Sequence, residues 1–423
     1  MRQDANNKVK FIIFGLLWTL GLCPLMGFPT FSIQWSQCDQ ALMQFHGRRS
    51  SQLSEFLKLK ATQRILFSGT ALLQPKNLWL VESESVMINR ANERAQARYQ
   101  DRITNPQGWA KGLGSHPLAS KISFPKPGVI IPTQLPELKN PQLPSLSLLA
   151  MAEKIQSGGV ELPIVYKTNR SVLGAGIAFI ESDGQNILIK FPYSQVNRAI
   201  GPFHGFPDAR SFLQKQGDRF QVDETKGMAE WRLPRNDSQF QKNFADFFSL
   251  FSIDEIGFYD PGIFESKISL LRYENRAYES RFIMALDVAS GELYREVTPD
   301  FLKRTGLSSA RKLLEAPYSK VGASDSVANI WGRESGGAFL LPEIKMYDGL
   351  LVAFPELRNR LPEFAREMRL IVEKSVTEVG QKLRNHMPER GSTVLLFEVD
   401  VGWVKNADGS LSPYLVESHI GPI

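Results

Sequence analysis

Val394-Leu-Leu-Phe-Glu-Val-Asp-Val-Gly-Trp-Val404 and Leu411-Ser-Pro-Tyr-Leu-Val-Glu-Ser-His419 are two strand-like runs separated by Asn406-Ala-Asp-Gly409. Asp408-Gly409 between such runs signals a β-hairpin with a two-residue type I′ turn. Counting outward from Ala407 opposite Ser410 sets Trp403 against Tyr414, Asp400 against Glu417 and Glu398 against His419. Side chains alternate along a strand, so Glu398, Asp400, Glu417 and His419 share one face while Phe397, Val399, Val401 and Val416 fill the other. Three carboxylates this close repel one another unless a cation sits between them, and oxygen donors at this density suit Mg²⁺. An ordinary polar face on an edge hairpin would carry Lys or Arg among the acidic residues, because opposed like charges destabilise a sheet. Neither run supplies one there.

Upstream of the hairpin, a helix is expected from Pro362 to His386, with Phe364, Met368, Ile371, Val372, Val376, Val379 and Leu383 at helical spacing as a core stripe. Before it, the small-residue stretch from Val327 to Gly337 reads as a loop carrying Asn329 and Arg333. Ser269 to Tyr273, Glu279 to Asp287 and Glu292 to Glu296 read as consecutive strands, the last two turned by Ser290-Gly291. Arg281 and Arg295 alternate with apolar neighbours. Each can therefore face a cleft with Phe282 and Met284 behind it, or equally lie on a solvated sheet face.

Further back, a short helix from Ser145 to Gln156 is stopped by Gly158-Gly159 and followed by the strand Leu162-Pro-Ile-Val-Tyr-Lys167. Thr168-Asn-Arg-Ser-Val-Leu-Gly-Ala-Gly176 then leads into strands at Ile177 to Glu181 and Asn186 to Phe191, turned by Ser182-Asp-Gly184. A loop with Ser171, Gly174 and Gly176 between strands can bring backbone N–H groups to phosphate oxygens, with Lys167 as counter-charge. Such loops also serve only to turn the chain. The spacing matches neither a Walker A loop nor a dinucleotide fingerprint, since it precedes a strand and not a helix.

The composition is that of an ordinary globular chain: 423 residues, 43% hydrophobic, 22% charged, net charge +6. The basic residues form no block and no aromatic-interleaved motif, so nucleic acid is not an indicated partner. Arg2, Lys8 and Lys10 precede an apolar run from Phe11 to Phe28, the layout of an export signal or a single membrane anchor at residues 1–30. The protein is accordingly expected to be exported, periplasmic or secreted, or membrane-anchored by residues 11–28. Cys23 and Cys38 are the only cysteines, so disulfides are not expected to hold the fold. From Asp39 to about Arg102 the pattern is mostly helical, with a strand-like stretch at Asn77 to Val81. Eight of the 25 prolines fall between Pro106 and Pro144, which places a linker there and divides the chain into a region at 31–135 and a domain at 136–423.

Taken in order, these pieces resemble the ATP-grasp superfamily. Leu162 to Lys167 with Ser171 to Ile177 resembles its strand, lysine and flexible glycine loop, and Glu279-Ser-Arg281 its central strand with an arginine. Asn329 with Gly336-Gly337 resembles the loop that precedes the metal strands, and Phe397 to Asp400 with Leu415 to Pro422 the final hairpin, about 260 residues in all. His419 stands where the family usually carries Asn.

The resemblance implies an α+β fold of two subdomains clasping a nucleotide cleft, preceded by the mostly helical region. It implies ATP with Mg²⁺ or Mn²⁺ as cofactors, and a carboxylate and an amine, small-molecule or peptide-like, as substrates joined through an acyl phosphate. Lys167, Ser171, Gly174 and Gly176 would hold the nucleotide, with Lys121 as second lysine and Lys111 and Lys139 as rivals. Asp400 and Glu417 would hold metal with Glu398 or His419, Arg281 with Arg295 or Arg333 would steady the transferring group, and adenine would lie near Phe258 to Phe264. Two other readings stay open: a degenerate member that binds a nucleotide or another anion without turnover, which His419 and the export signal favour, and an exported binding or structural protein.

Overall fold

The computed structural model describes residues 32–34, 57, 59–82, 84–87, 89–91, 93, 137–139, 144–169, 176–193, 206–223, 228–253, 259, 261–273, 276–295, 318–322, 338–341, 347–384 and 394–422. The chain is α+β, built on two large sheets, with a separate pair of short strands, β1 (Ser32–Gln34) and β3 (Glu137–Lys139). The apolar run at 11–28, most of the proline-rich stretch and the loop at 327–337 lie outside the described residues. Among the described residues no helix is long and apolar enough to cross a membrane.

The first sheet has eight strands in the spatial order β4 (Ser145–Leu146), β2 (Leu78–Val81), β10 (Ile263–Ser266), β5 (Ile164–Lys167), β6 (Ile177–Ser182), β7 (Asn186–Pro192), β9 (Met228–Pro234) and β8 (Phe220–Asp223). All its neighbours are antiparallel except β2 and β4. One face is apolar because every second residue of β5, β6, β7 and β9 is, and Ile164, Tyr166, Ala178, Ile180, Ile187, Ile189, Trp231 and Leu233 are all buried on it. Helices α2 (Leu148–Gln156), α3 (Pro207–Gln214) and α4 (Phe240–Leu250) supply the opposing core. The phenylalanines of α4 do most of this, with Phe244, Phe247 and Phe248 in ring contact with Tyr166, Trp231 or Phe264. Ser147 caps α2 by accepting a hydrogen bond from the Ala150 amide at 3.1 Å, one residue pair inside the start expected from the sequence.

The second sheet has seven strands. Its main path runs β15 (Ala338–Leu341), β14 (Tyr318–Gly322), β12 (Arg276–Asp287), β16 (Val394–Lys405) and β17 (Leu411–Pro422), with β11 (Arg272–Tyr273) and β13 (Leu293–Tyr294) also paired to β12. Helix α6 (Leu361–Arg384) lays the expected stripe of Phe364, Met368, Val372, Val376, Val379 and Leu383 onto Phe282, Met284, Leu286, Leu395, Phe397 and Val399. The shorter α5 (Asp348–Ala353) adds Leu350 to the same core.

Residues 57–82 join the two sheets. Helix α1 (Lys60–Phe67) turns Ala61 toward Leu80 and Ile263 of the first sheet, while Leu66 and Phe67 enter the core of the second. The chain then runs beside β17, where the Leu73 amide donates to Pro413 O and the Leu415 amide donates to Leu73 O, before entering the first sheet as β2. The strand expected at 77–81 is part of the main sheet, paired with β10 and β4. Its pairing with β10 is a long-range contact that local patterning does not encode.

Gly262, at the start of β10, allows the close approach of β5. A Cβ there would lie 2.1 Å from the backbone oxygen of Lys167. Gly262→Ala is therefore expected to destabilise the protein by ~3 kcal/mol or more, measured by urea denaturation; wild-type stability would contradict this packing.

Candidate functional site

The hairpin β16–β17 gathers the acidic residues as expected, by a different route. The Asn406 amide donates to Ser410 O at 2.9 Å and the Gly409 amide to Asn406 O at 3.0 Å, so the turn is a three-residue loop with Gly409 at φ +84°. Asp408 fixes it by accepting from the Ser410 amide and hydroxyl. Pairing near the turn is shifted by one residue, and Trp403 faces Pro413 instead of Tyr414. A bulge between Asp400 and Val401 then takes up Val416, which restores Asp400 opposite Glu417 and Glu398 opposite His419. Val416 consequently lies on the side of Gly402, whose added Cβ would meet it at 3.0 Å, and not among the core residues Phe397, Val399 and Val401.

Cations from three other elements meet this face. Arg281 on β12, in register with Asp400, donates from Nε and Nη2 to the two Asp400 oxygens at 2.7 and 2.8 Å and from Nη1 to Glu398 at 2.8 Å. Lys60 of α1 stands 3.3 Å from Glu417. Arg64, one turn further along α1, holds Glu265 of β10 with two hydrogen bonds of 2.9 and 3.0 Å. The same guanidinium donates to Leu415 O at 2.7 Å and Val416 O at 2.9 Å, the carbonyls flanking the bulge. Lys167, at the end of β5, is 2.6 Å from Glu265 and reaches Val416 O at 3.5 Å. The Lys or Arg missing from the hairpin's own sequence thus arrives from α1 and β12.

The glycine loop is anchored beside them. The Lys60 amide donates to Asn169 O and the Ala61 amide to Asn169 Oδ1, which caps α1 with the residue where the loop departs. At the far end, Gly176 has φ +66°, and an added Cβ would lie 2.0 Å from the Thr168 hydroxyl oxygen, so only glycine fits. Ser171, Gly174, Lys121 and Arg333 lie outside the described residues, as does Asn329. Arg295 is not brought to this site. It pairs with Glu373 of α6 at 2.5 and 2.6 Å, on the helix-covered side of the sheet, and its side chain is 59% exposed.

Burial sets the electrostatics. It would raise the Glu265 carboxyl, but the charges and hydrogen bonds of Arg64 and Lys167 outweigh it and hold the group below its ordinary value. For Lys167, burial and the neighbouring Arg64 charge outweigh the attraction of Glu265 and Glu417, so the ammonium loses its proton more readily than a free lysine. Glu417 is held down to about 2: burial and Asp400 oppose ionisation, but Lys60, His419 and Lys167 prevail. Two cations therefore share one carboxylate on the side of the first sheet, while on the second one guanidinium serves both Asp400 and Glu398.

No protein-family model, curated protein or solved structure matches the chain. The carboxylates and His419 form an oxygen-rich donor set in chemical type, but among the described residues no three Asp, Glu, His or Cys side chains converge as metal ligands. Their oxygens are turned to Arg281 and Lys60, so in this arrangement they do not fit a divalent ion.

Lys60, Arg64 and Glu265 were not legible as site residues. Lys60 and Arg64 carry one available signal, a basic pair four residues apart on one helix face, but such pairs are usually solvated.

Arg64→Met is expected to lower stability by ~3–5 kcal/mol by stranding a buried carboxylate and two carbonyls. Lys167→Met should change it by less than ~1 kcal/mol, because the charged lysine is itself disfavoured there and Arg64 still pairs Glu265; equal losses by urea denaturation would contradict the assignment. The depressed Glu417 value also gives a pH signature. Its contribution, about 3 kcal/mol, is present above pH ~4.5 and is lost as pH falls toward ~2. Comparing urea denaturation of the parent and Glu417→Gln between pH 6 and pH 2.5 should show the difference shrinking with acid.

Proposed function

We propose that this chain is an ATP-grasp-type protein that binds ATP in the cleft between its two sheets and uses it to join a carboxylate to an amine. The single observation that carries the reading is Lys167. A lysine whose charge is disfavoured by burial and by a neighbouring arginine sits at the root of a glycine loop, and its ammonium reaches Val416 O of the acidic hairpin at 3.5 Å. A residue retained against its own stability is the usual mark of a ligand site. The order of the remaining parts supports the same family: strand and lysine, glycine loop, a strand with arginine, then the acidic hairpin.

On this reading Lys167 attracts the phosphates, and backbone amides of the glycine loop close over them. ATP would bring its own Mg²⁺ or Mn²⁺, because the hairpin carboxylates are turned to Arg281 and Lys60. The substrate carboxylate attacks the γ-phosphorus, ADP departs, and the acyl phosphate is captured by an amine with release of phosphate. Arg281 is the guanidinium nearest the acidic face and would steady the transferring group or the substrate carboxylate. Position and charge, not a protein nucleophile, would provide the rate enhancement.

A second reading is favoured by a specific observation. Arg281 and Lys60 already neutralise the hairpin carboxylates, and His419 replaces an oxygen-bearing side chain. A member that binds the nucleotide or another polyanion without turnover would look like this.

Thermal denaturation of the full chain with Mg²⁺ and ATP separates the alternatives. ATP is expected to raise Tm in the parent, and Lys167→Met to lose that response while keeping its own Tm. No shift with any nucleoside triphosphate would rule out nucleotide binding. A shift without ADP release across a panel of acids and amines would select the non-catalytic reading, and in that case His419→Asn is expected to leave turnover absent.

A further inference from the structure

Sheet register brings Glu265 to Lys167. Glu265 of β10 lies opposite Val165 of β5, two residues before Lys167, so the two side chains share the face of the first sheet turned away from α2, α3 and α4. Their chain neighbours Tyr166 and Phe264 point the other way, into the helix-packed core. The contact is buried, with the Glu265 side chain 4% exposed and that of Lys167 12%.

One carboxylate serves both cations. Arg64 donates from Nε to Oε2 at 2.9 Å and from Nη2 to Oε1 at 3.0 Å, a fork that fixes the plane of the carboxylate. Lys167 Nζ takes the same Oε1 at 2.6 Å. Because Arg64 is itself tied to Leu415 O and Val416 O, Glu265 is the fixed member of the pair, and the lysine on its four-carbon stem is the one that is placed. An ammonium has three donors. Glu265 takes one, and Val416 O lies at the outer limit of a hydrogen bond at 3.5 Å, so donor capacity remains for an incoming anion. The charges that reach Lys167 are Glu265 of β10, Arg64 of α1 and Glu417 of β17. Glu265 is the foremost of those that favour the ammonium, while burial and Arg64 oppose it.

We infer that Glu265 is a positioning residue for the proposed nucleotide site: it fixes the Lys167 ammonium in place and supplies the negative charge that an ammonium needs at this depth. The inference rests on the nucleotide reading only for what the ammonium then meets, a phosphate oxygen. Glu265 acts through the lysine, since both its own oxygens are taken by Arg64 and Lys167.

Competitive acetylation of the full chain with acetic anhydride, read at Lys167 by mass spectrometry across a pH series, tests this without nucleotide. In the parent, Lys167 should become reactive at a lower pH than Lys242, whose side chain is 68% exposed. In Glu265→Gln it should become reactive at a lower pH still, with Lys242 unmoved, because the attraction is lost while burial and the Arg64 charge remain. Loss of the local fold moves Lys167 the opposite way, toward an ordinary lysine, so a merely structural role does not imitate the expected shift. An unchanged or raised Lys167 profile in a variant that still unfolds cooperatively in urea would overturn the inference. If Glu265→Gln does not fold, Glu265→Asp, whose carboxylate is withdrawn by one methylene, must show the same downward shift in smaller degree, and its absence overturns the inference equally. With Mg²⁺ and ATP, Glu265→Gln should bind about tenfold more weakly than the parent at alkaline pH and regain affinity as the pH falls and the lysine recovers its proton. A parent without any ATP response would remove the nucleotide reading and leave the labelling to decide the role of Glu265.

Discussion

The guanidinium of Arg64 is the contact on which the arrangement of the two sheets depends. It holds the Glu265 carboxylate of the first sheet with two hydrogen bonds and the Leu415 and Val416 carbonyls of the second with two more. Each of these groups is buried or nearly so and needs a partner, so removing the arginine would leave polar groups unsatisfied on both sides at once. Only a side chain with several fixed donors can make this bridge, which distinguishes Arg64 from Lys60 one turn away.

The bulge at Val416 makes the bridge possible. In a regular strand successive carbonyls point to opposite edges; the extra residue at the bulge lets those of Leu415 and Val416 meet one guanidinium. The rest of the exposed edge is covered by the same N-terminal segment, with the Gln63 side chain accepting from the Ser418 amide and Leu73 pairing to either side of Tyr414. One segment thus closes a sheet edge, links two sheets and delivers two cations to a site. Lys382 of α6 completes its anchoring by donating to Leu66 O and Ser68 O at the helix end.

The site combines stabilising and destabilising terms. Arg64 and Arg281 satisfy their carboxylates with multidentate bonds, and these pairs belong to the architecture. Lys167 is charged at some expense to the fold, whereas Glu417 is held ionised by the charges of Lys60, His419 and Lys167. Groups of the first kind are expected in any well-packed protein. A lysine kept charged against its own burial is the kind of group on which the proposed nucleotide site rests.

The acidic hairpin, its pairing of Asp400 with Glu417 and Glu398 with His419, the amphipathic α6 and the strand ending in Lys167 were readable from sequence because each rests on local periodicity. Even there, the register was recovered through two compensating departures, a longer turn and a bulge, which no count of alternating residues reveals. The Arg295 placement could not be read, since alternation tells that a residue faces one side of a strand but not which side the helix covers. Nor could the counter-charges: Lys60 and Arg64 lie more than 300 positions before the carbonyls and carboxylate they meet in the hairpin. Strand alternation tells that the acidic residues and His419 share a face. Which cations neutralise them depends on tertiary contacts, because a charge is paired by proximity in space, and that proximity comes from the pairing of β12 with β16 and from the packing of α1 against β17.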